Sequence, residues 1–188
     1  MRKGHPHARV AFLPQQCVCA GTRWCDRVGA VLYRLYKPED FDALYAIEEV
    51  CFPWPDRFSR AYMRQVIRKR TAATWIAEDG ERLCGFAVVE WTHESSRLLA
   101  YIQTLEVLPE WRGQGVGEEL MRRIESSACA AGSQGIWLHV DPSNTDAVRL
   151  YERLEYVFSG RREDYYGLGR PALLYAKPLD AVVAGRVG

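Results

Sequence analysis

The stretch that decides the fold is LEVLPEWRGQGVGEEL, Leu105 to Leu120. It passes from a strand-like segment through a glycine cluster straight into an amphipathic helix. Gly113, Gly115 and Gly117 let the backbone turn tightly and approach a ligand where a Cβ would stand in the way. The helix begins at about Val116, so its unpaired N–H groups and positive dipole end face the same space. Arg112 is expected at the mouth of that space, where its guanidinium can meet a phosphate from the side. Two familiar owners of such a loop are excluded by spacing. A dinucleotide fold places G-x-G-x-x-G directly after a strand, whereas here the glycines run G-x-G-x-G and Leu108-Pro109-Glu110-Trp111-Arg112 intervenes. A P-loop ends in Gly-Lys-Ser/Thr, and Glu118 and Glu119 stand there instead.

Working outward, Leu98 to Leu108 reads as a strand entering the glycine loop, and Val116, Leu120, Ile124 and Ala128 give the helix one apolar stripe. That helix ends near Gly132. Ile136 to Val140 is a short apolar strand interrupted only by His139. Ser143 or Asn144 caps the next helix, with Asp146 three residues beyond Ser143 as in a capping box, and Ala147, Leu150, Tyr151 and Leu154 form its inner face. A strand, loop, helix and strand in succession imply a parallel crossover. Upstream, Ala30 to Tyr36 alternates like a strand and Lys37-Pro38-Glu39-Asp40 opens a helix running to about Cys51. Phe52-Pro53-Trp54-Pro55 breaks it. Ser59 caps a second helix to about Lys69, with Tyr62, Met63 and Val66 inward. Ala73 to Glu78 and Leu83 to Trp91 then pair across Asp79-Gly80. Tyr156 to Gly160 and Pro171 to Lys177 read as closing strands around an Arg/Tyr-rich loop. The expected fold is α/β or α+β, a mixed sheet with helices on both faces.

The chain has 188 residues and a formal charge of +1. That length supports a substantial core. Near-neutrality supplies no field for nucleic acid or an anionic membrane, so a small molecule or peptide is the expected partner. No apolar run reaches the roughly eighteen residues of a membrane span. The start does not fit a secretory signal, because Val10-Ala11-Phe12-Leu13 is too short and Pro14 follows it. A cytoplasmic protein is expected. The division expected is a loose extension over 1–29, one domain over 30–179 and a tail over 180–188. Cys51, Cys84 and Cys129 fall in regular elements, where a cysteine packs as a small hydrophobe. Cys17, Cys19 and Cys25, with His5 and His7, lack the usual pair spacing of a zinc site, and no metal is expected.

Read as R-x-x-G-x-G, Arg112, Gly115 and Gly117 resemble the coenzyme A pyrophosphate motif of the GNAT superfamily of N-acetyltransferases. The resemblance extends over about Ala30 to Leu179. Two subfamilies stand out in it, the ribosomal-protein alanine N-acetyltransferases and the NatE-type catalytic subunit of N-terminal acetyltransferases. It implies a mostly antiparallel sheet with a parallel cofactor unit, and acetyl-CoA as donor. It also implies cofactor contacts from Leu105, Glu106, Val107, Arg112, Gly113, Gln114, Gly115, Val116, Gly117, Glu118, Asn144 and Tyr151. The acceptor it implies is the N-terminal amine of a protein or peptide. Lysine, a polyamine or another small amine is the alternative, and a non-catalytic acyl-CoA-binding module is a third reading.

Acetyl transfer from a thioester needs a neutral amine, a donor for the developing oxyanion and a proton source for the thiolate. The resemblance assigns the oxyanion to a backbone N–H at about Val107. It assigns the proton to Tyr151, which with Asn144 and Ala147 fits the family pattern N-x-x-A-x-x-x-Y. Seven residues are nearly two helical turns, so Asn144 and Tyr151 share a face. On the residues alone Tyr151 reads first as a core tyrosine on an apolar stripe, and the glycine motif reverses that order. His139, in IWLHVDPSN, is either a satisfied core histidine or a base. The alanine acetyltransferases place glutamate there, whereas the NatE type places histidine, with a tyrosine at the position of Tyr101. Phe52, Pro53 and Trp54 resemble the F-P-x segment of N-terminal acetyltransferases, and Tyr165 and Tyr166 match a paired tyrosine in the loop over the peptide. Trp54 and one of these tyrosines read equally as core plugs. Glu155 stands where the family has a left-handed glycine, so either it adopts that conformation at a cost of roughly 1 kcal/mol or the loop is remodelled.

Overall fold

The computed structural model describes residues 31–80 and 82–179, together with the backbone of Arg9–Ala11. The cysteines and histidines of the upstream extension, and the tail beyond Leu179, lie outside the described residues. In chain order the elements are β1 (Arg9–Ala11), β2 (Leu32–Leu35), α1 (Phe41–Cys51), α2 (Arg60–Ile67), β3 (Ala72–Asp79), β4 (Arg82–Glu94), β5 (Arg97–Val107), α3 (Val116–Ala130), β6 (Gly135–Val140), α4 (Thr145–Arg153), β7 (Val157–Gly167) and β8 (Arg170–Pro178). The sheet follows the order β2-β3-β4-β5-β6-β8-β7, and β1 pairs with β5 off this path. Along the path only β5 and β6 are parallel. The crossover that such a pair demands is made by α3.

Helices cover both faces. Val116, Leu120, Ile124 and Ala128 of α3 and Ala147, Leu150 and Tyr151 of α4 join Leu105, Val107, Ile136, Leu138 and Val140 in one core. Phe41, Leu44, Ile47, Met63 and Val66, from α1 and α2, pack with Ile76, Phe86 and Val88 in the other. Burying a Leu or Ile this fully contributes about 1.5–3 kcal/mol. β3 and β4 thus send residues into both cores, while the core residues of β5 and β6 all enter the first. Between the cores Glu48 and Glu106 are buried side by side, with Glu48 Oε1 accepting the Phe58 N–H at 2.6 Å and Thr104 donating to Glu106 at 2.8 Å.

The helix starts follow local chemistry. A single 3₁₀ turn at Pro38–Asp40 leads into α1, with Asp40 accepting the Lys37 N–H at 2.7 Å. Ser59 caps α2 through the Tyr62 N–H. At α4 it is Asn144 that caps, accepting from Ala147 N–H at 3.3 Å. Ser143 instead donates to Asp141 at 2.7 Å, so the capping box expected with Asp146 does not form. Glu155 takes the left-handed conformation, φ 67°, and Tyr156 N–H reaches Tyr151 O at 3.0 Å. The turn is kept there without remodelling.

The expected loop around Tyr165 and Tyr166 is strand. β7 extends to Gly167, but its register with β8 breaks between Arg162 and Gly167, which frees the intervening residues from the ladder. Asp164, at φ 54°, accepts the Gly169 N–H at 2.6 Å and closes the turn.

Candidate active site

The site sits where β5 and β6 part. Their parallel pairing spans only Leu99–Tyr101 and Gly135–Trp137. Beyond Tyr101, β5 carries an extra residue, Gln103, opposite Val88 and Val89 of β4. Such a bulge bends a strand and ends regular pairing, which explains the opening. The β5 backbone from Ile102 to Val107 is therefore unpaired with β6, and β1 lies along Thr104–Glu106 of that edge.

The glycine loop lies at the end of β5. Gly113 and Gly115 have φ of 72° and 82°, and a Cβ at either would meet nothing within 4 Å. The left-handed conformation requires glycine there, and the space above it is open. Gly115 is the N-cap of α3 and offers no side-chain cap, so the first N–H groups of the helix remain available to an anion. Glu118 and Gln114 are turned elsewhere, Glu118 to Arg122 at 2.5 Å and Gln114 to the Glu110 carbonyl at 2.8 Å.

Arg112 has a further contact at the end of β5. Its Nε donates to Val107 O at 2.9 Å, and an Nη lies 3.7 Å from Cys51 Sγ. The guanidinium thus braces the end of β5. Leu105, Glu106 and Val107 are wholly buried, so what they offer a ligand is backbone. The carboxyl of Glu106 faces α1, and burial together with Glu48 pushes it well above the usual carboxylate range.

On β6, Ile136, Leu138 and Val140 enter the α3/α4 core while Trp137 and His139 line a pocket of about 360 Å³ with Tyr62, Lys69, Glu90, Tyr101, Gln103, Arg162 and Tyr165. The Tyr101 hydroxyl is 3.1 Å from His139 Nδ1 and 2.9 Å from the Tyr165 hydroxyl. Tyr165 stacks on His139 at 4.1 Å between centroids, and Trp137 meets the histidine edge-on at 5.3 Å. Gln103 links Tyr62 and Glu90 at 3.1 and 2.8 Å, and Lys69 pairs with Glu90 at 2.7 Å. Gln103 was missed in the sequence reading. A polar residue within LLAYIQTLEV was the available signal.

Tyr151 is fully buried against Tyr156 and Tyr175. It is a core tyrosine, yet its hydroxyl makes no hydrogen bond among the described residues. Burial raises that phenol well above its ordinary range, so it stays protonated. Of the outer residues, Tyr165 is buried and Tyr166 half-buried, while Trp54 is 83 % exposed and plugs no core. Phe52 packs on the α1/α2 core and Pro53 is exposed. The Cys51 and Cys84 thiols are each pushed up to about 11 by burial, which makes neither a ready nucleophile.

These residues fit a thioester cofactor. The open left-handed glycine turn and uncapped helix suit a pyrophosphate, the β5 edge left by β6, along which β1 lies, suits amide groups of an extended arm, and the Tyr151 hydroxyl has no hydrogen-bond partner among the described residues. An anion cradle, a parted parallel pair and a histidine–tyrosine pocket on one sheet define an acyl-transfer enzyme of the mixed α/β class. The acetyltransferase (GNAT) family model matches residues 41–156, and the chain belongs to that family.

Among curated relatives, a streptothricin acetyltransferase of Streptomyces lavendulae is 36% identical over 85 residues, 45% of this chain and 43% of that protein. The chain thus spans less than half the length of that relative. N-alpha-acetyltransferase 30 of Schizosaccharomyces pombe is 28% identical over 119 residues, 63% of this chain and 79% of the relative. Arabidopsis thaliana NAA60 in complex with acetyl-CoA superposes with a TM-score of 0.69 at 24% identity, covering 80% of this chain and 99% of that one.

Proposed function

We propose that this acetyl-CoA-dependent acetyltransferase modifies the α-amine at the N-terminus of a protein or peptide, by direct transfer from donor to acceptor. The observation that supports it is the Tyr101 hydroxyl held between His139 and Tyr165 at the point where β5 and β6 separate. When bound, acetyl-CoA supplies an electrophilic acyl carbon and a thiolate leaving group.

The protein's part is fourfold. The N–H groups at Gly113–Gly117 and the α3 dipole hold the pyrophosphate. The Val107 N–H stands for the oxyanion donor, with Arg112 fixing the carbonyl of the same residue. His139, with Tyr101, takes the proton that the amine loses as its nitrogen bonds to the acyl carbon. Tyr151, protonated at pH 7 as an ordinary phenol is and made a weaker acid by burial, returns a proton to sulfur in concert with C–S cleavage. Asn144 positions that tyrosine by capping its helix.

Basicity favours the terminal amine. Deprotonating an α-amine of reference pKa near 7.7–8.0 at pH 7 costs only about 1–1.4 kcal/mol, against about 4.6 for a lysine near 10.4. An imidazole, near 6.5 in its reference state, is matched to the smaller task. The similarity to N-alpha-acetyltransferase 30 supports the same reading. The streptothricin relative favours a second one, a small-molecule amine.

Incubation with acetyl-CoA and short peptides, each with a free or blocked N-terminus and one internal lysine, separates them by tandem mass spectrometry. Acetyl on free N-termini is expected. Acetyl on lysine alone rejects the terminal reading, and acetylation of added small amines but of no peptide selects the second.

A further inference from the structure

The acceptor side of the pocket depends on Tyr165, and the sheet does not place it. Between Arg162 and Gly167 the β7–β8 ladder breaks, so Tyr165 and Tyr166 lack the register that fixes an ordinary strand residue. Their neighbour across the turn supplies another anchor. Arg170 makes a forked contact to Asp56, 3.1 Å to one carboxylate oxygen and 2.9 Å to the other, across 114 residues of sequence. Asp141, just beyond β6, lies 3.6 Å from the same guanidinium.

From Arg170 the contacts run inward without a gap. The guanidinium lies 5.7 Å from the Tyr166 ring centroid, Tyr166 meets Tyr165 edge-on at 4.9 Å, and Tyr165 stacks on His139 while bonding Tyr101. At its other end the clasp holds the segment after α1, which carries Phe52, Pro53 and Trp54. We propose that Arg170, clasped to Asp56, is a positioning residue for the acceptor. It ties the β7–β8 turn to the segment after α1 and thereby seats Tyr165 against His139 and Tyr101.

The alternative is an ordinary surface ion pair. Arg170 is about half exposed, and such pairs add little to stability. The two roles therefore separate in kinetics rather than in melting. A fork matters to the positioning role, because a lysine offers a point charge without the paired geometry. The inference rests on the acceptor reading of the Tyr101–His139–Tyr165 group, though not on which amine is acetylated.

The test compares Arg170→Gln, Arg170→Lys, Asp56→Asn and His139→Ala in the full chain, using acetyl-CoA and whichever peptide or small amine of the panel above is acetylated. Arg170→Gln and Asp56→Asn are expected to lower kcat/KM for the acceptor by roughly tenfold, a misplacement well under the 100-fold that an ångström can cost. Arg170→Lys should fall between them and the wild type. The KM for acetyl-CoA and the Tm should stay unchanged, and 1 M salt should reproduce the loss in the wild type but add nothing in Arg170→Gln. Unchanged acceptor kinetics in Arg170→Gln, with His139→Ala inactive, overturns the clasp alone. So does a loss matched by a lower Tm or a weaker KM for acetyl-CoA. Full turnover in His139→Ala overturns the acceptor reading, and the clasp falls with it.

Discussion

At the scale of single residues, surroundings assign different work to Tyr101, Tyr165 and His139 in the pocket and to Tyr151 in the α3/α4 core. Tyr101 lies within hydrogen-bond distance of both His139 and Tyr165, so its hydroxyl sits in a chain along which a proton can pass. Tyr151 is isolated in apolar packing and holds its proton. His139→Ala and Tyr151→Phe are each expected to lower kcat by 10²–10⁴, the usual worth of a positioned acid or base. Tyr101→Phe should lose less, because the imidazole remains. Coenzyme A affinity, measured by calorimetry, should be unchanged in all three. Full turnover in both His139→Ala and Tyr151→Phe would falsify the assignment of roles. Tyr151 also shows how two residue-level readings hold together: its ring is a core residue, and its unpaired hydroxyl is the only part left for chemistry.

At the scale of elements, the cofactor unit is built from β5, the glycine loop and α3. Gly115→Ala puts a Cβ into the open cradle and forces a left-handed alanine, at about 1–2 kcal/mol of strain. It should weaken coenzyme A binding by far more than it lowers Tm, and equal losses in both would mark the glycine as merely conformational. The freed edge of β5 carries a second expectation. β1 uses Thr104–Glu106, the backbone along which an extended arm must run to bring a thioester near Val107. Strand and arm exclude each other, so a chain starting at residue 12 should bind acetyl-CoA several-fold more tightly. An unchanged KM would show that β1 does not compete.

This unit was legible in the sequence because its causes are local. Glycines needing positive φ, an apolar stripe at helical spacing, the Asp79-Gly80 turn and the capping Asn144 each leave a mark within a few residues. The acceptor side was not legible in the same way. Arg112 reads from its motif as a phosphate ligand, and its bond to the Val107 carbonyl is a second contact that the sequence does not show. Tyr165 lies where the β7–β8 register breaks, beside a turn whose Arg170 pairs with Asp56, contacts that no local pattern carries.

At the scale of the whole molecule, the two cores meet across buried carboxyl groups. Glu48 on α1 and Glu106 on β5 are buried together, each carboxyl raising the cost of ionising the other, and Glu48 also holds the Phe58 N–H of the segment before α2. Two carboxylates in that setting cannot both ionise, so the pair keeps a proton that bridges helix and strand. Asp40 behaves in the opposite sense, held below the usual carboxylate range by its hydrogen bonds to Arg34, and its contribution is lost on acidification. For Glu106 the native state binds a proton that the unfolded chain releases above about pH 4.3. Stability from this pair is therefore complete below that value and declines as pH rises toward the raised native pKa. Glu106→Gln cannot ionise, can still accept from Thr104, and can donate an amide hydrogen to Glu48. Urea unfolding at pH 5 and pH 8.5 should show the variant losing less stability than the wild type between the two values, with the difference growing on the alkaline side. Parallel losses in both proteins would place the retained proton elsewhere and remove the link between the two cores.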